Sequence, residues 1–330
     1  MMMNTIPQSL RYSSLLLLFK YPCRNSINNQ ISLAHFGLFS SSSSSSSRRN
    51  FSQKSTMSIR YDFKDKVVLV TGSSSGIGEG IAIHLSSLGA NITITGRNVE
   101  RLKRVGERCR QSSLSSSSSA KVLEIIGDVS KEEDAARLLN KTIETFGKLD
   151  VLVNNAGAYQ IASIWDDNYM QNYDMMFHIN VRSVVHLTKL AIPYLAKTHG
   201  NIVNVSSVSA QKPAANNTLY AMSKAAIDMF TKSMALELGP KHIRCNAINP
   251  AAIRTPIFNK VKNSDLNTDR MAEAAALSYP VGRIGEPLDC ANAVAYLASD
   301  AASFINGVCL LVDGGSVNSA LIMPEGDSKK

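Results

Sequence analysis

From about Phe63 the chain repeats one pattern: a short run of β-branched and aliphatic residues, a turn, then a longer amphipathic stretch. The runs are Val67–Thr71, Asn91–Thr95, Val122–Gly127, Leu149–Asn154, Asn201–Ser206, Ile243–Ile248 and Val308–Val312. They show little apolar–polar alternation, as strands covered on both faces require. Between them, helical periodicity predicts segments near 77–88, 99–111, 131–146, 170–197, 219–238 and 286–298. Strands and helices alternating at this spacing join by right-handed crossovers into a parallel sheet. The expectation is an α/β protein with a doubly wound parallel sheet of about seven strands. It forms a single domain over 61–318, with a tail at 319–330.

The chain carries a net charge of +9, but the charge is not spread evenly. Arg11, Lys20, Arg24, Arg48, Arg49, Lys54 and Arg60 lie in the first sixty residues, which contain no Asp or Glu. The remainder is nearly neutral, which argues against nucleic acid as a partner. A basic, Ser-rich, acid-free segment can form an amphipathic helix drawn inward by a negative membrane potential. Arg49-Asn50-Phe51-Ser52 resembles the arginine-at-minus-three site of mitochondrial presequence cleavage. Residues 1–60 therefore read as a mitochondrial targeting presequence, with a plastid address or a compositionally biased disordered tail as alternatives. Initiation at Met57 would give a cytosolic form. Leu15 to Phe19 is too short an apolar run to cross a bilayer, so no stable membrane insertion is expected. The serine runs 40–47 and 112–119 read as solvated, unstructured insertions. Cys23, Cys109, Cys245, Cys290 and Cys309 form no C-x-x-C pair and no metal-ligand spacing, so reduced thiols and no metal are expected.

Directly after the first strand run comes Thr71-Gly72-Ser73-Ser74-Ser75-Gly76-Ile77-Gly78, then an apolar helix. Small residues admit a pyrophosphate close to the backbone, and the helix start offers it free N–H groups. Strand, Gly-rich turn and helix in this order make the sheet Rossmann-type. Gly72, Ser74, Ser75, Gly76, Ile77 and Gly78 are the candidate phosphate contacts. The second strand ends in Gly96-Arg97, where an acidic residue would select NAD through the ribose hydroxyls. An arginine pairs with a 2′-phosphate through two donors, so NADP(H) is favoured over NAD(H); the alternative is a surface arginine that merely follows a strand. Asp128 and Val129 follow the third run. Asp128 is placed either to meet the adenine edge or to cap the helix starting at Lys131.

Tyr220 and Lys224 stand four apart on a long apolar-faced helix, and so share one face. A phenol of pKa about 10 is a poor base at neutral pH. A neighbouring ammonium stabilises the phenolate and brings it toward the range useful for proton transfer. Ser207 ends the fifth strand run, where its hydroxyl can donate to a carbonyl oxygen gaining charge. Asn180 lies in a helix flanking the same cleft. Asn154-Asn155-Ala156-Gly157 follows the fourth strand, at the carboxyl edge where such sheets bind ligands.

Together these motifs resemble the short-chain dehydrogenase/reductases over roughly residues 63–316, in the branch that includes 3-oxoacyl-carrier-protein reductases and general carbonyl reductases. TGSSSGIG at 71–78, NNAG at 154–157, Asn180, Ser207 and YAMSK at 220–224 stand in the family's order and spacing. The resemblance implies that Tyr220 donates and accepts the proton, Lys224 lowers its pKa and holds the nicotinamide ribose, and Ser207 orients the carbonyl. It implies that Asn180 supports a water in the proton relay. Asn154, Ala156 and Gly157 would lie beside the cofactor. Asn249-Pro250-Ala251-Ala252-Ile253-Arg254-Thr255 looks like the family's P-G-x-x-x-T segment, so Ile253 and Thr255 would meet the carboxamide and Pro250 would also lie against the cofactor. Ala251 stands where glycine is usual, and would be strained if that backbone needed φ > 0. Tyr279 to Pro287 and Asp313-Gly314-Gly315 also resemble that branch, whose members are usually tetramers. The helices at 170–197 and 219–238 would then pack across an interface.

The expected activity is hydride transfer between NADP(H) and a small to medium, modestly apolar carbonyl or alcohol substrate, in the reductive direction. An NAD-dependent alcohol dehydrogenase of the same fold and a non-catalytic dinucleotide-binding protein are the alternatives. The segment Pro256–Ser278, with Ile257, Phe258, Lys260, Lys262, Asp269 and Met271, is expected to cover the substrate. Tyr159 and Trp165 are candidates for the rim.

Overall fold

The computed structural model describes residues 61–115, 120–256 and 277–319. The chain divides into two units, Met1–Thr56 and Met57–Lys330, and every described residue belongs to the second. The presequence, the serine run 40–47, most of the expected substrate cover and the tail from 320 lie outside the described residues.

Seven strands form one sheet in the order β3-β2-β1-β4-β5-β6-β7, all neighbours parallel. They are β1 (Val67–Val70), β2 (Asn91–Gly96), β3 (Val122–Ile126), β4 (Val151–Asn154), β5 (Asn201–Val205), β6 (Arg244–Pro250) and β7 (Cys309–Val312). The helices are α1 (Gly76–Ser87), α2 (Val99–Ser115), α3 (Glu132–Phe146), α4 (Tyr169–Phe177), α5 (Ser183–Thr198), α6 (Thr218–Leu238) and α7 (Pro287–Ala298). The chain order reverses between β3 and β4, so a crevice opens at the carboxyl ends of β1 and β4.

Successive strand residues face opposite layers. Val68 and Val70 enter one core with Ile81, Leu85, Leu102 and Val294, from the side of α1, α2 and α7. Val67 and Leu69 enter the other with Leu138, Leu187 and Ile202, from the side of α3, α5 and α6. Both faces are covered, which explains the unbroken apolar runs. Each fully buried Leu or Ile contributes about 1.5–3 kcal/mol relative to exposure.

Two local expectations are corrected. The helix expected over 170–197 is broken: α4 and α5 are joined by a π-turn, His178–Arg182, in which the Ser183 N–H reaches back to the His178 carbonyl. Single π-turns of this kind put one extra residue into a helix and cluster at functional sites. Residues 112–115 are not a loop but the last turn of α2. There Ser112 Oγ donates to the Cys109 and Ile83 carbonyls (2.9 and 3.2 Å), so its hydroxyl is used within the fold.

Candidate active site

The phosphate loop is stapled from both sides. Ser73 Oγ donates to the Val70 carbonyl (2.9 Å) and accepts from the Thr95 N–H (2.9 Å), binding the loop to β2. Thr71 Oγ1 accepts from the backbone N–H groups of Asn155 and Ala156, each at 3.0 Å. Asn155 Nδ2 donates to the carbonyls of Thr71 and Gly72 (2.8 and 3.1 Å). Thr71, Ser73 and Asn155 are thus functional in shaping the cleft, though none was among the sequence candidates. The signal was their place inside the two motifs, TGSSSGIG for Thr71 and Ser73 and NNAG for Asn155.

Gly72 takes φ +62°, and a Cβ there would stand 2.8 Å from the Ala156 Cα. A Cβ on Gly78 would stand 2.6 Å from the Gly72 carbonyl oxygen. The loop is therefore a cradle that side chains would fill. Ser75, at the start of α1, makes no side-chain cap, so the first N–H groups of the helix are not taken up by it. Free helix-start donors above a small-residue loop fit a pyrophosphate.

At the adenosine end Ser74 packs against Gly96, and Arg97 faces Asp128 across 3.5 Å with 70% of its side chain exposed. Partial burial works to raise the Asp128 pKa, but hydrogen bonds from the Ser130 hydroxyl and N–H and the Arg97 charge outweigh it and hold it below the ordinary value. Asp128 does not cap α3 with its side chain, because the residue at that position is Lys131. Asp128 instead closes the turn before the helix. Val129 leans on the apolar layer below α3 and α5.

The catalytic candidates converge at the carboxyl ends of β4 and β5. Ser207, buried at the end of β5, accepts the Ser209 N–H on its Oγ (3.1 Å), which leaves its hydroxyl proton available to a substrate or to Tyr220. Lys224 is 5% exposed; its Nζ donates to the Val205 carbonyl at 2.9 Å and lies 5.6 Å from the Tyr220 ring centroid. Burial pulls its pKa down to about 8, against the charge of Asp228. The Tyr220 phenol is pushed up to about 12 by burial; a hydrogen bond with Ser207 works the other way. Burial of the phenol works against the lowering expected from the ammonium, which here is bonded to a backbone carbonyl.

Asn180 sits in the π-turn, 1% exposed. Its Oδ1 accepts the Ala158 N–H (2.7 Å), and its Nδ2 donates to the Ala158 carbonyl (2.9 Å) and to Ser223 Oγ (3.0 Å). The side chain thus clamps the loop after β4 to α6. Asn154, paired in register with Asn204, donates to Asn204 Oδ1 (2.9 Å) and Thr188 Oγ1 (3.1 Å). A Cβ on Gly157 would lie 3.2 Å from Asn180 Oδ1 and 3.6 Å from Lys224 Nζ, so the glycine keeps the backbone low beside both.

After β6, Pro250 closes the strand and Ile253 is buried, bridging to Gly285. Thr255 packs on Gly76, where an added Cβ would meet its Cγ2 at 3.1 Å. The expected carboxamide segment therefore reaches the phosphate loop. Ala251 is absent from the positive-φ residues, so glycine is not required there and the expected strain does not arise. Of the rim candidates, Tyr159 stacks edge-on against Tyr220 with centroids 4.9 Å apart, whereas Trp165 is 90% exposed. Ile257, Phe258, Lys260, Lys262, Asp269 and Met271 lie outside the described residues.

Among the described residues no cluster of three or more His, Cys, Asp or Glu could hold a metal, and no helix is long and apolar enough to cross a membrane. Cys109, Cys245, Cys290 and Cys309 are free thiols, and burial pushes each well up from its ordinary value.

Residues 72–317 match a family model described as enoyl-(acyl carrier protein) reductase. The chain is 33% identical to an L-fucose dehydrogenase of Bos taurus over 254 residues, 77% of this chain and 90% of that protein. It is 35% identical to a 4-formylbenzenesulfonate dehydrogenase of Comamonas testosteroni over 258 residues, 76% and 97% of the two chains. A short-chain dehydrogenase/reductase of unknown function from Caenorhabditis elegans, solved with cofactor, superposes with a TM-score of 0.72 at 36% identity, covering 78% and 97%. A 3-ketoacyl-(acyl-carrier-protein) reductase of Brucella melitensis, solved with NADH, gives 0.68 at 32% identity, covering 78% and 100%.

Proposed function

The chain belongs to the short-chain dehydrogenase/reductase family, oxidoreductases of alcohol and carbonyl groups that bind a nicotinamide dinucleotide, and on that premise we propose that it uses NADPH to reduce a modestly apolar aldehyde or ketone. One observation carries the direction. The Tyr220 phenol and the Ser207 hydroxyl are hydrogen-bonded side by side with Lys224 next to the ring, so the site presents two O–H donors to one oxygen. Reduction needs a proton at the carbonyl oxygen as charge develops there; oxidation would need the phenolate first.

The dinucleotide supplies the hydride. This chain's residues do the rest. The loop Gly72–Gly78 and the start of α1 bind the pyrophosphate. Arg97, above Ser74 and Gly96, takes the 2′-phosphate. Its pair with Asp128 is long and exposed and is worth at most about 1 kcal/mol, so the guanidinium can turn to a stronger partner. Ser207 donates to the substrate carbonyl, and Tyr220 delivers the proton to the same oxygen. Lys224 holds positive charge next to the phenol and within reach of the ribose. Tyr159, edge-on to Tyr220 and next to the apolar cluster of Ala158, Ala162 and Leu219, suits a modestly apolar carbonyl.

The second reading, oxidation of an alcohol with NAD⁺, is favoured by Asp128: as long as it holds Arg97, the phosphate site is closed. Titration of the purified protein decides. Arg97→Ala should weaken NADPH binding about tenfold or more and leave NADH unchanged. Tyr220→Phe should bind NADPH as before and lose at least a hundredfold in turnover on a carbonyl panel. Tighter binding of NADH than NADPH would reject the NADP(H) assignment, and a Tyr220→Phe protein as active as the parent would reject the enzyme.

A further inference from the structure

One buried carboxylate near this site is not used by the mechanism above. Asp228 lies one turn beyond Lys224 on α6 and is 7% exposed. Its Oδ2 accepts a 2.7 Å hydrogen bond from Asn249 Nδ2, and its Oδ1 has no hydrogen-bond partner among the described residues. Asn249, fully buried on β6, donates from the same Nδ2 to the backbone carbonyl of Ser207 at 3.1 Å. A carboxylate is costly to bury unless it serves a partner charge or a hydrogen-bonding network. Here it accepts from Asn249 in such a network, and the Lys224 charge stands one turn before it on the same helix, beyond ion-pair distance.

We propose that Asp228 is a positioning residue: its carboxylate is the countercharge that keeps Lys224 an ammonium, and through Asn249 it fixes the backbone that carries Ser207. The assignment rests on the catalytic reading above. The surroundings leave no other described group for the first task. On α6, Tyr220 is protonated at neutral pH, and Lys232 lies a further turn away and interacts with Cys309. From β6 and β7, Cys245 and Cys309 face the same side, and both thiols are held protonated by burial. Arg244, on β6, spends its guanidinium on the carbonyls of Leu297, Ser299 and Ile305 at the opposite end of the strand. From α4 and the π-turn only the neutral Asn180 points inward, since Asp174 on α4 and His178 and Arg182 in the turn line an open outer groove. Tyr159, from the loop after β4, is kept neutral by burial.

The test is the full-length protein with Asp228→Asn, which keeps an acceptor for Asn249 but removes the charge. Two readouts are followed against pH: kcat/KM for carbonyl reduction, and the Kd for NADPH from its fluorescence. Activity and affinity fall as Lys224 loses its proton. In Asp228→Asn both falls should begin about one pH unit lower than in the parent, and Asp228→Glu should restore them. A purely structural role would lower the melting temperature or kcat without moving either midpoint. Unchanged midpoints in a folded Asp228→Asn protein overturn the proposal. If that variant melts too early to assay, the smaller neutral Asp228→Ser is read the same way. A parent protein with no turnover would sink the catalytic reading alone, because the NADPH affinity still reports on Lys224.

Discussion

Gly72 shows how a single residue decides whether the cleft exists. It sits at φ +62°, and a methyl group there would meet the Ala156 backbone at 2.8 Å. Left-handed backbone costs an L-residue about 1–2 kcal/mol before any clash. Gly72→Ala is therefore expected to lose at least 2 kcal/mol or so in urea unfolding and to bind NADPH too weakly to measure. An alanine variant with parental affinity would show that the loop is not the phosphate site. Most residues of this kind were legible in the sequence, because their chemistry is local: glycines where backbone must pass close, Tyr220 and Lys224 one turn apart. The direction of the Tyr220 pKa was not legible. It depends on what surrounds the hydroxyl: burial pushes it up and the Ser207 hydrogen bond works the other way, both set by residues distant in sequence.

At the scale of elements, the carboxyl half of the sheet is tied to its covering helices by buried amides. Asn204 on β5 accepts from Asn154 on β4 and donates to Thr231 Oγ1 on α6 at 2.9 Å. Asn204→Ala leaves both partners buried with unmet hydrogen bonds, so a loss of about 2–4 kcal/mol in stability is expected, read by denaturant titration. A cost under about 0.5 kcal/mol would mean that water replaces the amide. Strand positions were readable to within a residue or two, since an apolar run buried on both faces has one reading. The break between α4 and α5 was not. The apolar period runs through 170–197 without a gap, and the π-turn is held by Asn180 reaching to Ala158 and Ser223, contacts that no local pattern reports.

The whole chain carries two features on which we extend the proposal. Val185, Met222, Met229 and Leu236 remain exposed on α5 and α6, the last by 81%. These positions are not simply core, and we propose that they are covered by further copies in a homotetramer; Leu236→Glu should then reduce the mass measured by light scattering. The acid-free residues 1–60 we propose as a mitochondrial address. Residues 57–330 alone should melt and bind NADPH as the full chain does, whereas only a reporter fused to residues 1–60 should enter mitochondria. A reporter left in the cytosol would refute the address. By itself the sequence determined the order of elements and the parallel sheet, which follow from periodicity, and the pairing of Tyr220 with Lys224, which follows from spacing along one helix; the full catalytic set came from the resemblance of its motifs to a family. Only the tertiary structure decided that Ser207, Tyr220, Lys224 and the Asn180 clamp converge, that Ala251 needs no glycine, and that Asp228 is buried against Asn249. Those facts depend on burial and on contacts between strands far apart in the chain, and local sequence carries neither.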